Sequence, residues 1–486
     1  MNVERHHAPG NRALRPVQIF EVSTLYGAAT LAASLDAGQF GPRQAARRIL
    51  LVTTNAPTPE AATGLTAMTG FDRLADRFDE TIDWNEAIRP FHPSTWAPLR
   101  DESPVWERMF RHAWRLSDAP VELIVESVHV SPARALATIF SGSAVHVYAD
   151  GLMSYGPTRE RLPQWLGCRI QRLLHLDLVP GLRPLLLVEH AVRPEIVPTD
   201  AFRAVLGELG EAAAGLPELA GVAADGPSAV LLGQYLAALG ILSPEEEEEL
   251  HVRMVRGAVA AGHECLVFKP HPTAPARYSH VMEKTAAQAG VRLHVLDSPV
   301  LAETVYERCG PTLVVGCFST AMLTAATCYG IDIAKVGTTP LLDRLAPYQN
   351  SNRVPVTLVD FVVPDLEDAA AGARYAPATG QRTHAPVTGE RTHAPVTGER
   401  TGELAALLRT VGYCMQAKLH PLLREEAIAW LDARLDEDTV RYFKRRRLTA
   451  LALPGGGTSV RARLLRSSPS ARWAAHRIRT AQRALR

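Results

Sequence analysis

Two separate series of short apolar runs constrain this chain most. Each run is closed by turn or polar residues, and each is followed by a helix-like stretch. The first series holds Val17–Val22 (VQIFEV), residues 49–53 (ILLVT), Val121–Val125 (VELIV) and residues 144–148 (AVHVY), with helix candidates at 27–35 and 131–139 between them. The second holds residues 228–232 (SAVLL), 264–268, 291–296 (VRLHVL), 312–316 (TLVVG) and 331–336. Its intervening helices are expected from Ser243, from about Arg277, from about Val300 and from Ser319. Runs of this length without polar alternation are strands buried on both faces, as parallel sheets require. A β-α-β-α rhythm given twice predicts an α/β protein of two Rossmann-like, doubly wound domains facing a cleft, completed by C-terminal helices. The boundaries read as a flexible N-terminus (1–15), a first domain (16–215) and a second domain (216–370). A repeat insertion (371–402), C-terminal helices (403–448) and a basic tail (449–486) follow.

Composition narrows the function. The 486 residues are 47% hydrophobic and 21% charged, an ordinary globular balance. The net charge of +1 gives the body no general attraction for polyanions, and nucleic acid is not expected as a partner. Arg is much commoner than Lys, a usage that fits a GC-rich genome. The six cysteines are scattered, mostly in apolar stretches, and none forms a CxxC pair. That pattern argues against a disulfide framework or a zinc site and fits a reducing cytoplasm. The first residues lack the apolar centre of a signal peptide, and no window reaches a membrane-spanning length. Glu245–Glu249 reads as a solvated helix start behind the cap Ser243 and Pro244, where acids suit the helix dipole.

Residues 376–400 repeat a nine-residue unit (APATGQRTH, APVTGERTH, APVTGER) whose Pro, Gly and Thr density cannot bury a core. Its His384 and His393 read as exposed repeat members. Beyond Phe443 come Lys444, Arg445, Arg446, Arg447 and further arginines without an acid, with Trp473, Ile478 and Leu485 among them. Such a segment reads either as a solvated tail or as a basic amphipathic arm drawn to anionic lipid at the inner face of a membrane.

Three strand ends carry chemistry. Phe268-Lys269-Pro270-His271-Pro272 follows a buried run, at the edge where α/β domains bind ligands. Prolines on both sides hold His271, so its imidazole can meet a phosphate oxygen at one position, with Lys269 adding charge. Gly316-Cys317-Phe318-Ser319-Thr320 turns from strand to helix, where amides, hydroxyls and the positive dipole end make a phosphate cradle. Gly233, at another strand end, joins Gly316, Pro272, Ser319 and Thr320 in the expected donor-binding set. Tyr148-Ala149-Asp150-Gly151 places Asp150 at a strand end of the first domain, where a carboxylate can take a proton from an attacking hydroxyl. No Asp-x-Asp metal motif stands at a strand end. Asp436-Glu437-Asp438 reads as a solvated face.

These three motifs, in this order, resemble those of the bacterial α-2,8-polysialyltransferase family, and more loosely those of bacterial sialyltransferases of GT-B architecture. The family's acidic-acidic-Gly, His-Pro and Ser-Ser/Thr motifs correspond to Ala149-Asp150-Gly151, His271-Pro272 and Ser319-Thr320. Thr24-Leu25-Tyr26-Gly27-Ala28 and Val125-Glu126-Ser127-Val128 are also similar, and the likeness runs over about residues 15 to 365. The resemblance implies Asp150 as general base, His271 as general acid, and Ser319 and Thr320 on the phosphate of a CMP-linked sugar. It further implies inversion at the anomeric carbon and neither metal nor cofactor. The donor would be sialic acid or a related nonulosonic acid as its CMP ester, the acceptor a glycan in capsule or other surface polysaccharide synthesis. The one departure is Ala149 at the first acidic position; the carboxylate next to Gly151 is kept. A CDP-glycerol or sugar-phosphate transferase and a non-catalytic, transferase-like binding protein are the alternative readings.

Overall fold

A computed structural model describes residues 14–59, 62–271, 274–368 and 398–457. Pro272, nearly all of the nine-residue repeat and the tail from residue 458 lie outside the described residues.

The first series of runs folds into a seven-stranded, all-parallel sheet. Its strands are β1 (Val17–Val22), β2 (Arg47–Val52), β3 (Glu80–Asp83), β4 (Val121–Val125), β5 (Ala144–Ala149), β6 (Ile170–Leu176) and β7 (Arg193–Val197). Their spatial order is β3-β2-β1-β4-β5-β6-β7. The second series forms a five-stranded parallel sheet from β8 (Ala229–Leu232), β9 (Cys265–Lys269), β10 (Arg292–Val295), β11 (Leu313–Gly316) and β12 (Asp332–Lys335), ordered β10-β9-β8-β11-β12. Every residue of β1, β8, β9 and β11 is buried, as expected of strands covered by helices on both faces. Burying one such large apolar side chain stabilises the fold by roughly 1.5–3 kcal/mol. Strand order reverses beside β1 in the first sheet and beside β8 in the second, and ligands of doubly wound sheets gather at the carboxyl ends next to such reversals.

The strands missing from the sequence reading are β3, β6 and β7. β3 (ETID) is an edge strand with a largely exposed face, and β7 (RPEIV) carries Pro194 at the other edge, where a missing N–H is tolerated. β6 (IQRLLHL) is interrupted by Gln171, Arg172 and His175, which hid its apolar run.

The C-terminal helices brace both domains. The helix Arg353–Val362 packs on the turn Leu152–Tyr155 of the first domain, and the helix Glu399–Gln416 lies against it. The latter starts at Glu399, inside the segment assigned to the repeat insertion. Fully buried Asp360 is met by Lys335, Thr338, Tyr442 and Arg441, so its charge is compensated on all sides. The basic run also begins within the fold: Lys444 Nζ donates to Asp343 Oδ1 at 2.9 Å, and Arg447 Nε to the Cys414 carbonyl at 2.6 Å. No helix among the described residues is long and apolar enough to cross a membrane. All six cysteines are free thiols.

Candidate active site

The carboxyl ends of the two sheets open onto one shared cavity of about 460 Å³. Asp150, Gly151 and Glu126 line it from the first domain. Gly233, Tyr235, His271, Ser319 and Thr320 line it from the second, and Asn352 and Gln416 close it from the C-terminal helices.

Asp150 leaves the end of β5 beside two other acids. Glu21, inside β1, is buried and accepts a hydrogen bond from the Glu126 amide at 3.0 Å. Glu126, one residue past β4, is held by Ser23 Oγ, which donates to its Oε2 at 2.6 Å. Burial and the neighbouring Glu126 charge push the Asp150 carboxyl up to about 7. Glu21 rises to about 8 for the same two reasons, and burial raises Glu126 as well. The site therefore holds a carboxyl that titrates near neutrality, as a general base needs. The helix Leu25–Asp36, whose cap Thr24 accepts from the Gly27 amide at 2.9 Å, starts close behind Asp150. A Cβ on Gly27 would stand 3.0 Å from Thr24 Oγ1, 3.2 Å from Tyr148 Oη and 3.3 Å from Asp150 Oδ2. A side chain at this position would crowd the helix start against the acid.

On the facing domain, His271 stacks on Tyr235 with ring centroids 3.9 Å apart and planes at 27°. Burial, with the Lys269 charge adding to it, lowers the imidazole to about 4. Gly233 sets the approach of the two loops. A Cβ there would meet Pro270 Cα at 2.9 Å and the His271 amide nitrogen at 3.0 Å. The loop bearing Tyr235 is tied from beneath. Glu247 is fully buried and accepts from the Leu236 and Ala237 amides at 2.7 and 2.9 Å and from the Tyr278 hydroxyl at 3.0 Å. His251 Nε2 accepts from the Gln234 amide at 3.1 Å. Glu247 thus corrects the reading of Glu245–Glu249 as wholly solvated. The helix Pro244–Ala260 does begin with the Ser243 capping box, but its third acid turns inward as a loop anchor.

Ser319 caps the helix Thr320–Tyr329 and accepts from the Ala321 amide at 3.3 Å. Thr320 reaches across the cleft, with its Oγ1 3.4 Å from the Leu152 amide that donates to it. One turn further, Thr324 Oγ1 lies 2.8 Å from Tyr26 Oη.

Two members of the expected donor set do not face the cavity. Lys269 is buried, and its ammonium donates to the carbonyls of Leu296 at 3.2 Å and Ser298 at 2.9 Å, so it braces the end of β9 on the neighbouring loop. Desolvation lowers it to about 8. His271 lies past the end of β9, where the chain has left the strand, and lines the cavity instead. Gly316 is a packing glycine: a Cβ there would stand 2.8 Å from Met322 Sδ, within the turn that places Ser319. Pro272 lies outside the described residues. Glu21, Glu126 and Tyr235 were absent from the expected site. A buried acid inside VQIFEV was the available signal for Glu21, because ionisable groups are seldom fully buried without a partner or a task. Among the described residues no group of three or more His, Cys, Asp or Glu side chains is placed to hold a metal ion.

The fold can be set beside solved structures. The GT-B domain of a sialyltransferase from Photobacterium damselae aligns at 13% identity over 70% of this chain and 95% of that one, with a TM-score of 0.38. A UDP-N-acetylglucosamine 2-epimerase from Neisseria meningitidis bound to UDP-GlcNAc aligns at 11% identity over 66% and 82%, with a TM-score of 0.39. MurG from Acinetobacter baumannii aligns at 13% identity over 72% and 85%, with a TM-score of 0.36. A search of curated proteins finds no match. Residues 18–337 match the family described as alpha-2,8-polysialyltransferase (POLYST), a span that takes in both sheets and all three motif-bearing strand ends. The enzyme is a sialyltransferase-like glycosyltransferase, and the chain belongs to the alpha-2,8-polysialyltransferase family.

Proposed function

We propose that the protein moves sialic acid, or a related nonulosonic acid, from its CMP ester to a hydroxyl of a glycan, with inversion and without a metal. The observation that carries this reading is that Asp150 and His271, from different domains, line the same cavity. Asp150 accepts the proton of the attacking acceptor hydroxyl as the new bond forms at the anomeric carbon. The bond from that carbon to the CMP phosphate oxygen breaks, and CMP departs with the bonding pair. His271 supplies a hydrogen bond or proton to that oxygen, and Ser319, Thr320 and the first amides of their helix take the phosphate charge. Gly233 holds the backbone of the His271 loop in place.

The acid's low proton affinity fits a site awaiting its donor. An imidazole at about 4 is neutral at physiological pH, and a phosphate beside it favours the charged form. The donor thereby recruits the proton that its own departure uses. The acceptor is a glycan of surface polysaccharide synthesis. The protein works in the cytoplasm, where the basic C-terminal arm draws it to the anionic inner face of the membrane.

The deciding experiment incubates the purified protein with CMP-sialic acid or CDP-glycerol and an oligosaccharide acceptor, with and without EDTA. Release of CMP, transfer of sialic acid and indifference to EDTA are expected. Consumption of CDP-glycerol alone would replace this reading with that of a polyol-phosphate transferase. CMP binding without any turnover would leave a transferase-like binding protein.

A further inference from the structure

On the first domain's wall of the cavity stands a histidine outside the reaction just described. His129, four residues past the end of β4, is only 8% exposed and lines the cavity. Neither of its ring nitrogens has a hydrogen-bond partner. A buried imidazole offers one donor and one acceptor, and leaving both unmade is unfavourable unless something outside the chain supplies the partner. Burial lowers the ring to about 4, and the neighbouring Arg159 and Arg134 charges act in the same direction. Arg159 lines the same cavity with an exposed side chain, and its backbone is tied to the C-terminal helices through Gln416. The acid Glu189 lies 3.6 Å from His190 and 4.0 Å from His420.

We infer that His129 and Arg159 form an acceptor-selecting subsite that engages the carboxylate of an acidic sugar. Position separates this ligand from the donor. The phosphate cradle and His271 belong to the second domain, whereas His129 shares its wall with Glu126 and Asp150, the side from which the acceptor hydroxyl attacks. A carboxylate accepts the N–H that His129 leaves without a partner and meets the Arg159 guanidinium, which lines the same cavity. The inference rests on the proposed reaction for the direction of attack only.

Two measurements test it. Binding of a sialic acid disaccharide to the full-length protein is compared with binding of its methyl ester, by calorimetry without donor, in the parent, His129→Leu and Arg159→Met. Parent affinity for the free acid should exceed that for the ester by roughly tenfold, and each substitution should remove that preference. Equal affinity for acid and ester in the parent, or equal weakening of both by the substitutions, overturns the subsite. Arg159→Met alters an exposed side chain and decides the question even where His129→Leu fails to fold. In transfer assays, the same variants should raise acceptor KM roughly tenfold while KM for CMP-sialic acid stays near the parent value. A loss in kcat with acceptor KM unchanged contradicts the inference. A parent that consumes no CMP-sialic acid overturns the proposed reaction instead, and the calorimetric comparison still decides the subsite.

Discussion

The two walls of the cleft are built by opposite means. The first domain crowds acids: Glu21, Glu126 and Asp150 converge at the ends of β1, β4 and β5, and each has its proton affinity raised. The second domain instead withholds negative charge, presenting an imidazole stacked on Tyr235, two hydroxyls and the amides of a helix start. Burial makes the carboxyl more basic and the imidazole less so, because desolvation disfavours whichever form is charged. The lesson is that one physical cause prepares the two groups differently. On the proposed reaction, the acid-rich wall would be ready before substrate arrives, while the histidine wall would need an anion to become acidic.

That contrast can be broken at several points. The largest effect is expected from Asp150→Asn, which keeps the shape and removes the proton acceptor. Transfer should fall by about 10³-fold or more while CMP binding, measured by calorimetry, stays near the parent value. His271→Ala should lower turnover by about 10²-fold and also weaken CMP, since that group meets the donor itself. A fall of similar size in both quantities for Asp150→Asn would erase the division between the walls.

A finer test uses pH. Asp150 sits at about 7 partly because Glu126 lies beside it, and a base works above its own pKa. Glu126→Gln removes that repulsion, so the acidic limb of kcat/KM should move to lower pH, by about one pH unit. A limb that stays in place would show that burial alone sets Asp150. Glu21 gives a stability counterpart. Its ordinary value is 4.5 and its folded value about 8, so between these the unfolded chain releases a proton that the folded one keeps. Stability contributed by the protonated group is therefore lost as pH rises through that window. Tm should decline from pH 5 to pH 8, and Glu21→Gln should flatten the decline. The smallest effect belongs to Glu247→Gln in the loop support of the second domain. It should cost about 1–3 kcal/mol of stability by denaturant unfolding, with turnover reduced less than in His271→Ala.

Much of this was legible in the chain, for physical reasons that also mark the boundary. Buried parallel strands are continuous apolar runs, so β1, β2, β4, β5, β8, β9 and β11 declared themselves. Asp150, His271 and Ser319 could be found because each stands within three residues of the end of such a run, Asp150 beside Gly151 and His271 between two prolines. Lys269 was assigned to the cleft because sequence shows proximity to a strand end but not the face on which a side chain leaves. Glu21 and Glu126 were missed because their meeting with Asp150 depends on β1, β4 and β5 being neighbours, and sheet order is not written in any one segment. Glu247 was hidden inside a run of five glutamates, only one of which turns toward the Leu236 and Ala237 amides.

Thr320 has a consequence for the order of events. Its hydroxyl belongs to the expected phosphate cradle, yet it accepts from the Leu152 amide two residues beyond Asp150, and a Cβ on Gly151 would stand 3.2 Å from it. On the proposed reaction, a ligand that takes this hydroxyl would compete for its contact with the segment beside Asp150. A protein wired in this way would favour loading its nucleotide first and admitting the sugar chain second. It would thereby guard the activated donor against waste by water until a suitable chain end is present.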